Sequence, residues 1–510
     1  MKSETVVSLE AVRKEIGKRF PVDSKVVLCH GVFDLLHPGH IEHLREAKSF
    51  GDVLVVSVTS DRFVNKGPGR PYFSEKDRAL MLSSLELVDL VTISDYKDAL
   101  AVLDQVKPNV YAKGPDYNDV ASDITGKIVE ERSLCEANGG SMVFTSGPTM
   151  SSSSLRNEMI IGESDDFGKW LPTFRASVSE ANIEELFSSL RGLKVLVVGE
   201  AIIDEYVMCE ALGKSSKDPV LAFKIGTKEL QLGGAFAVAN HAAGLGAQVT
   251  LVTRVGNETE VSTLIQKDMD PTVSVKLLKS NTDPSIVKTR YVDELTKSKV
   301  FETYQIGEMV ASETDDNALA GALEPLLDSV DVILVADYGH GLISQRHLEL
   351  LAKTRALKAV NTQSNAGNRG FNSISRYGAI DIVCLNGSEV GLELKQRHVP
   401  LGELVGELAI RTSAKFVAVT HGAKGVVYLD SRGAEPTAQD VPAFSTRVTD
   451  RVGAGDALFV ATSLSWAAGN SGLISAVVGN LAGAASLAGL GNKVTLDRIS
   501  LQKHMSALLK

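Results

Sequence analysis

Two short stretches of the chain combine residue types and spacings that could do chemistry. Residues Thr449–Phe459 read T-D-R-V-G-A-G-D-A-L-F. Gly453 and Gly455 flank Ala454, Asp456 follows at once, and an uncharged Ala/Gly-rich segment comes next. Small residues let backbone N–H groups approach a phosphate closely, and a following helix turns its positive end toward it. A carboxylate on the first turn can accept the proton of an attacking hydroxyl. The stretch suits phosphoryl transfer to an alcohol; for these few residues alone, a Gly-rich turn capped by aspartate is the plainer alternative. The second stretch is His37-Pro-Gly-His40. Two histidines placed where a strand turns into a helix can donate hydrogen bonds to an α-phosphate during displacement, while Gly39 admits the nucleotide. A helix cap or a metal pair is the competing use of two nearby histidines.

The flanking pattern supplies elements to position both. Lys25–His30 is a β-branched apolar run, Ile41–Phe50 has helical periodicity, and Asp52–Thr59 is a second apolar run. This predicts strand–helix–strand and a parallel sheet with its site at the strands' C-terminal ends. In order there follow Lys66 in a Gly/Pro loop, Arg78 opening a helical stretch, Lys113-Gly-Pro-Asp116-Tyr after a strand, the strand Ser141–Thr145, and Ser151-Ser152-Ser153-Ser-Leu-Arg156 before a terminal helix. Together these resemble the cytidylyltransferase-like nucleotidyltransferases over about residues 25–160. The resemblance implies that His37 and His40 stabilise the transition state. It implies that Gly31, Phe33, Gly39, Lys66, Arg78, Ser151, Ser152, Ser153 and Arg156 meet the nucleotide, with Asp34, Lys113 and Asp116 on the substrate side. Ser153 stands where the family usually has threonine. A phosphorylated alcohol would attack the α-phosphate of ATP or CTP and release pyrophosphate, by positioning and charge stabilisation.

The C-terminal two-thirds resembles the PfkB/ribokinase sugar kinases. Val195–Gly199 is a buried-strand pattern followed by Glu200 and Asp204; Gly233-Gly234-Ala-Phe-Ala-Val-Ala-Asn240 follows. The latter departs from the family signature, with Ala237 at the usual asparagine and Asn240 three residues on. Val332–Asp337 leads into Asp337-Tyr-Gly-His340-Gly, resembling the heptose-kinase branch, with His340 where lysine is common. The resemblance makes Asp456 the catalytic base. It places ATP on Thr420, Gly422, Gly425, Gly453, Ala454 and Gly455, and the acceptor on Asp204, Gly233, Gly234, Asn240 and Asp337. Asn386 and Glu389 would organise Mg²⁺ through water. The amide-rich run Asn361–Asn368 with Arg369 reads equally as acceptor or phosphate contacts and as a polar surface loop, and Arg447 as a further phosphate contact.

The expected fold is α/β: an N-terminal helix over 1–24, a Rossmann-like nucleotidyltransferase domain over 25–161, a Gly-flanked acidic linker over 162–180 and a ribokinase-like domain over 181–510. At 510 residues two or more domains are expected. The net charge of -10 argues against a general nucleic-acid binder. Four dispersed cysteines without a C-x-x-C pair point to a reducing cytoplasm, and the N-terminus lacks a signal-type apolar core. Ala457–Asn492 carries no Asp, Glu, Lys or Arg, but is broken by Gly469-Asn-Ser-Gly472, so two buried helices packed through small residues are expected over a membrane span. Nearly the whole chain resembles bifunctional heptose kinase/nucleotidyltransferases in reversed order, since the usual arrangement puts the kinase first. That implies nucleotide and sugar-phosphate substrates, use in surface polysaccharide synthesis, and a homodimer as one assembly. A CTP-dependent enzyme making a CDP-polyol, and a domain that binds nucleotide as a regulatory module without turnover, are the alternatives.

Overall fold

The computed structural model describes residues 5–64, 71–114, 127–146, 165–307, 311–368, 370–433, 436–444, 450–487 and 489–509. The chain divides into two compact units, Met1–Leu171 with Ser506–Lys510, and Pro172–Met505.

In the first unit the described strands are β1 (Val26–Gly31), β2 (Val53–Thr59), β3 (Leu90–Ser94), β4 (Val110–Lys113) and β5 (Ser141–Phe144). They pair in the order β3-β2-β1-β4-β5, all parallel. A parallel strand buried on both faces must be apolar throughout. Accordingly all seven residues of β2, V-L-V-V-S-V-T, are buried. One face carries Leu28, Val53, Val55 and Leu103, and the other Val27, Leu44, Leu54 and Leu82. The sheet order reverses at β1, between β2 and β4, so the crevice at the carboxyl end of β1 is the expected place for a ligand. The helix Pro38–Ser49 starts there. Residues 165–177, expected to be linker, form a helix that contains Pro172 and buries Phe167, Leu171 and Phe174.

The second unit holds two sheets. β6 (Lys194–Gly199), β9 (Gln248–Val255), β10 (Ser274–Lys279), β13 (Val332–Asp337), β14 (Leu357–Thr362), β15 (Ile382–Asn386), β16 (Phe416–Thr420), β17 (Val426–Asp430) and β18 (Gln439–Val441) form one. Its order is β10-β9-β6-β13-β14-β15-β16-β17-β18, parallel up to β16 and antiparallel beyond. β7 (Ala201–Lys214), β8 (Leu221–Gly234), β11 (Ile286–Asp293) and β12 (Lys299–Gln305) form the other, in the order β12-β11-β7-β8.

The uncharged stretch after Asp456 is a pair of helices, Ala454–Ala467 and Gly472–Ser486, broken at Gly469 as expected. They pack through small residues: a Cβ on Gly479 would stand 1.8 Å from Thr462 Oγ1. Among the described residues no helix is long and apolar enough to cross a membrane. The four cysteines are free and buried.

Candidate active sites

In the first unit, His37 caps the helix Pro38–Ser49 in an extended conformation, and Pro38 takes the first helical position, where no amide proton is needed. His40 sits one turn in, so the two imidazoles meet at the helix start, stacked with centroids 3.9 Å apart and planes 29° apart. Phe33 lies 5.6 Å from His40. Phe33 and Leu35 both adopt left-handed backbone (φ 50° and 51°), a costly conformation for bulky residues that fixes the bend between β1 and the helix. Gly31 ends β1 and Gly39 lies in the helix's first turn.

Other residues expected at this site hold its loops. The Asp34 carboxylate is buried and accepts the Tyr72 and Phe73 amides at 2.9 and 3.1 Å. Arg78 is wholly buried. Its guanidinium donates to the carbonyls of Val32 (2.6 Å), Thr59 (2.9 Å) and Phe73 (3.0 Å) and pairs with Asp61, so it ties the ends of β1 and β2 together instead of turning outward to a phosphate. Lys113, at the end of β4, pairs with Glu131. His30, which the sequence reading passed over, meets Ser57 Oγ at 3.1 Å. Burial lowers it to about 4, with Lys113 acting in the same direction and Asp98 against it, so it is neutral at physiological pH. Lys66, Asp116, Ser151, Ser152, Ser153 and Arg156 lie outside the described residues, as do Arg369 and Arg447 of the second unit.

In the second unit, Gly453 caps the helix Ala454–Ala467 in left-handed backbone (φ 84°). A Cβ there would stand 2.2 Å from Asn492 Oδ1. Asn492 Nδ2 in turn donates to Asp204 Oδ2 at 2.8 Å. Gly233 is equally constrained, since a Cβ would stand 2.1 Å from the same Asp204 oxygen. The two glycine motifs are thus drawn against one buried aspartate. Asp204 also takes Arg290, which reaches on to Glu302 at 3.3 Å. Gly234 caps the helix Ala235–Gly244, and Ala454, Gly455 and Asp456 form the first turn of theirs, where N–H groups have no intrahelical partner.

Asp456 is half-buried and accepts the Tyr338 hydroxyl at 2.7 Å. Burial pushes it up to about 7; the Tyr338 hydrogen bond and Lys288 act against that, and Asp204 and Glu389 with it. A carboxylate titrating there can both take and release a proton at neutral pH. Tyr338 is itself held from behind. Its carbonyl accepts Asn365 Nδ2 at 2.7 Å and Asn368 Nδ2 at 3.1 Å. Its amide donates to Glu200 at 2.8 Å, and Glu200 also takes the His340 and Leu342 amides. The described part of the amide-rich loop is therefore turned inward as a scaffold for Tyr338. Asn361 likewise donates to the Cys384 carbonyl at 2.8 Å.

Asp337 and Asn240 are committed in the same way. Asp337 accepts the Gly339 amide (3.0 Å), Asn372 (3.1 Å), the Tyr377 hydroxyl (2.6 Å) and the Arg376 guanidinium. Asn240 bridges the Asp268 carbonyl and the Asp270 amide at 3.1 and 2.9 Å. Thr420 ends β16, and Gly422 and Gly425 bound the short turn into β17.

Asn386 and Glu389 form a reciprocal cap on the helix Gly387–Leu394, each side chain accepting the other's amide at 2.9 Å. Glu389 also takes the Ser364 amide at 3.0 Å, and burial pushes its pKa up. Among the described residues no group of three or more His, Cys, Asp or Glu could hold a metal ion. These donors do not fit an all-protein metal cage; Asn386 and Glu389 would suit a hydrated Mg²⁺ reached through water.

Tyr338, Asn492, Lys288 and Arg290 were missed as site residues. Lys288 and Arg290 had a legible signal: two basic residues spaced by two on a β-strand share one face.

The comparisons with known proteins follow this division. The profile of the pfkB family carbohydrate kinases matches residues 193–496, and the cytidylyltransferase-like profile matches residues 28–158. The Bifunctional protein HldE of Campylobacter concisus is 40% identical over 132 residues, 25% of this chain and 27% of that protein. The protein of the same name from Campylobacter jejuni subsp. doylei is 43% identical over 111 residues, 21% and 24%. These alignments cover the N-terminal domain and span about a quarter of the relatives' length. Phosphofructokinase-2 from Escherichia coli, solved with potassium, superposes at a TM-score of 0.51 with 17% identity, covering 63% of this chain and all of that one. The same enzyme with substrates and products gives 0.51 at 17% identity, over 62% and 100%. At that identity the likeness shows the fold.

Proposed function

This chain belongs to the pfkB family of carbohydrate kinases, and from that premise we propose that it is a bifunctional enzyme making a nucleotide-activated sugar. The kinase half transfers the γ-phosphoryl group of ATP to a sugar hydroxyl. The transferase half joins a sugar phosphate to a nucleoside triphosphate. The observation that carries the reading is Asp456: a half-buried carboxylate in the first turn behind G-A-G, pushed up to about 7 and held by Tyr338.

In the kinase step Asp456 takes the proton of the acceptor hydroxyl as its oxygen bonds to the γ-phosphorus and the bond to ADP breaks. Asp204 orients the acceptor, with Gly233 and Gly234 giving it room. The amides of Gly453, Ala454 and Gly455 face the phosphoryl group, and Thr420, Gly422 and Gly425 line the ATP. Asn386 and Glu389 would hold Mg²⁺ through water, and the ion would supply charge neutralisation on the triphosphate. In the transferase step a phosphate oxygen of the sugar bonds to the α-phosphorus and pyrophosphate leaves. His37 and His40 donate to that phosphate, with Lys66, Ser151–Ser153 and Arg156 completing the nucleotide site. The HldE relatives, matched over the N-terminal domain, support a heptose-like substrate, and we further propose a role in surface polysaccharide synthesis.

The test is Asp456→Asn in the full chain, with ADP formation and pyrophosphate release measured separately. Loss of the base should lower kinase turnover by about 10²–10⁴ and leave pyrophosphate release intact. Equal kinase rates in mutant and wild type would sink the assignment. Pyrophosphate release with CTP alone would move the transferase to CDP-polyol synthesis.

A further inference from the structure

Lys288 sits in the middle of β11 and is 5% exposed. Its strand partners place it opposite Asp204 on β7 and opposite Tyr304 on β12. The ammonium lies 5.5 Å from the centroid of the Tyr304 ring and 5.8 Å from that of Tyr338. The nearby carboxylates are already engaged: Asp204 by Arg290 and Asn492, Glu200 by three backbone amides, Asp456 by the Tyr338 hydroxyl. A buried ammonium resting on two aromatic faces, without a carboxylate paired to it among the described residues, is costly to keep and needs a reason.

The reason lies one bond beyond the Tyr338 ring. The hydroxyl of that tyrosine donates to Asp456. We propose that Lys288 is a positioning residue for the kinase step, an ammonium that acts across the face of Tyr338 to hold the Asp456 carboxylate charged and turned toward the acceptor. The proposal rests on the reading of Asp456 as the base. Every charged neighbour bears on it. Asp204 from β7 and Glu389 from the helix Gly387–Leu394 oppose charge on Asp456, while Lys288 and the Tyr338 hydroxyl favour it. Around Lys288 itself, burial disfavours the cation and Asp204, Glu200 and Asp456 favour it, while Arg290 on the same strand opposes it. Glu302 on β12 pairs with Arg290 and accepts the Tyr304 hydroxyl, and His340, lowered to about 4 chiefly by burial, is neutral. Lys288 is the cation facing Asp456 that is not already bound to a carboxylate among the described residues.

The experiment compares Lys288→Met and Lys288→Arg in the full chain. The kcat for ADP formation is followed across pH with ATP and heptose acceptors, free and monophosphorylated. The acidic limb of the Met variant is expected to rise by about one unit, the lower end of what an adjacent opposite charge produces. Its rate then falls about tenfold below the limb and recovers at alkaline pH, and the Arg variant keeps the wild-type limb. A limb that stays in place while KM for the acceptor rises would make Lys288 an acceptor anchor and overturn the proposal. So would a loss uniform across pH. If Lys288→Met does not fold, Lys288→Gln takes its place, and unfolding of both marks a structural group and also overturns it. Asp456→Asn, run alongside, separates the two ideas. Turnover surviving in that variant defeats the base assignment, whereas turnover lost there with an unmoved Lys288→Met limb defeats the lysine alone.

Discussion

Replacing Tyr338 by phenylalanine removes one oxygen atom, and the structure fixes what that oxygen does. Its hydroxyl donates to Asp456 at 2.7 Å, and that hydrogen bond works against the burial that pushes the carboxylate up to about 7. A hydrogen bond to a charged group contributes about 1.5–3 kcal/mol, and one pKa unit corresponds to about 1.4 kcal/mol. Without it Asp456 should titrate about one to two units higher, and solvent at the half-buried carboxylate favours the smaller figure. The base must be ionised to accept a proton, so the kinase rate falls as pH drops through its pKa. At a pH of about 7.5 the ionised fraction goes from about three-quarters to about one-quarter for a one-unit rise, and to a few per cent for two. Tyr338→Phe should therefore lose about threefold to twenty-fivefold near neutrality and approach wild type at high pH. The assay is ADP formation at saturating ATP and acceptor across pH, with the melting temperature as a check on folding. A limb that does not move, or a deficit equal at every pH, would refute the reasoning.

His40→Ala should lower pyrophosphate release by about 10²–10³, the usual cost of one preorganised donor, with ADP formation unchanged. Gly453→Ala forces a left-handed backbone onto alanine and drives a Cβ to within 2.2 Å of Asn492 Oδ1, a strain of roughly 1–3 kcal/mol. Because Asn492 holds Asp204, the variant should raise the acceptor KM as well as lower kcat in steady-state kinetics. Arg78→Met strips donors from three carbonyls and the partly exposed Asp61, so urea unfolding should show a loss of about 1–3 kcal/mol for each carbonyl left buried and unpaired. Unchanged unfolding with a raised nucleotide KM would instead restore Arg78 to the phosphates.

Much of this was legible because it is local. Apolar runs of strand length, a glycine turn and a helical period lie within a few residues of one another. The sheet of the first unit, the histidines at a helix start and the G-A-G-D turn at another could therefore be placed from spacing alone. The helix pair after Asp456 was legible for the same reason, small residues without charge. What spacing could not carry was partnership across the chain. Tyr338 reaches Asp456 over 118 residues, and Asn492 reaches Asp204 over 288. The helix 165–177 was hidden by acidic composition and Pro172, although Phe167, Leu171 and Phe174 already had helical spacing.

The amide-rich loop shows why the remaining part stayed ambiguous. An asparagine offers the same two donors and one acceptor to a ligand as to a backbone, so sequence weighs acceptor contacts against a polar surface and has no way to choose. The fold chooses a third use, with Asn365 and Asn368 holding the Tyr338 carbonyl. Asp337, Arg78 and Asn240 follow the same rule: each motif residue is engaged by backbone groups or fixed side chains of its own surroundings. A group so engaged would have to break those bonds to serve a ligand, and leaving their partners unmade costs more than the bonds themselves contributed. Such residues therefore shape the site and should report on folding when changed. Asp456 differs because, among the described residues, a single side-chain hydroxyl holds one of its oxygens, and Lys288 because two rings face its ammonium and no carboxylate among the described residues pairs with it. Open valence of this kind, more than membership of a motif, marks the residues whose substitution should change the pH dependence of the kinase.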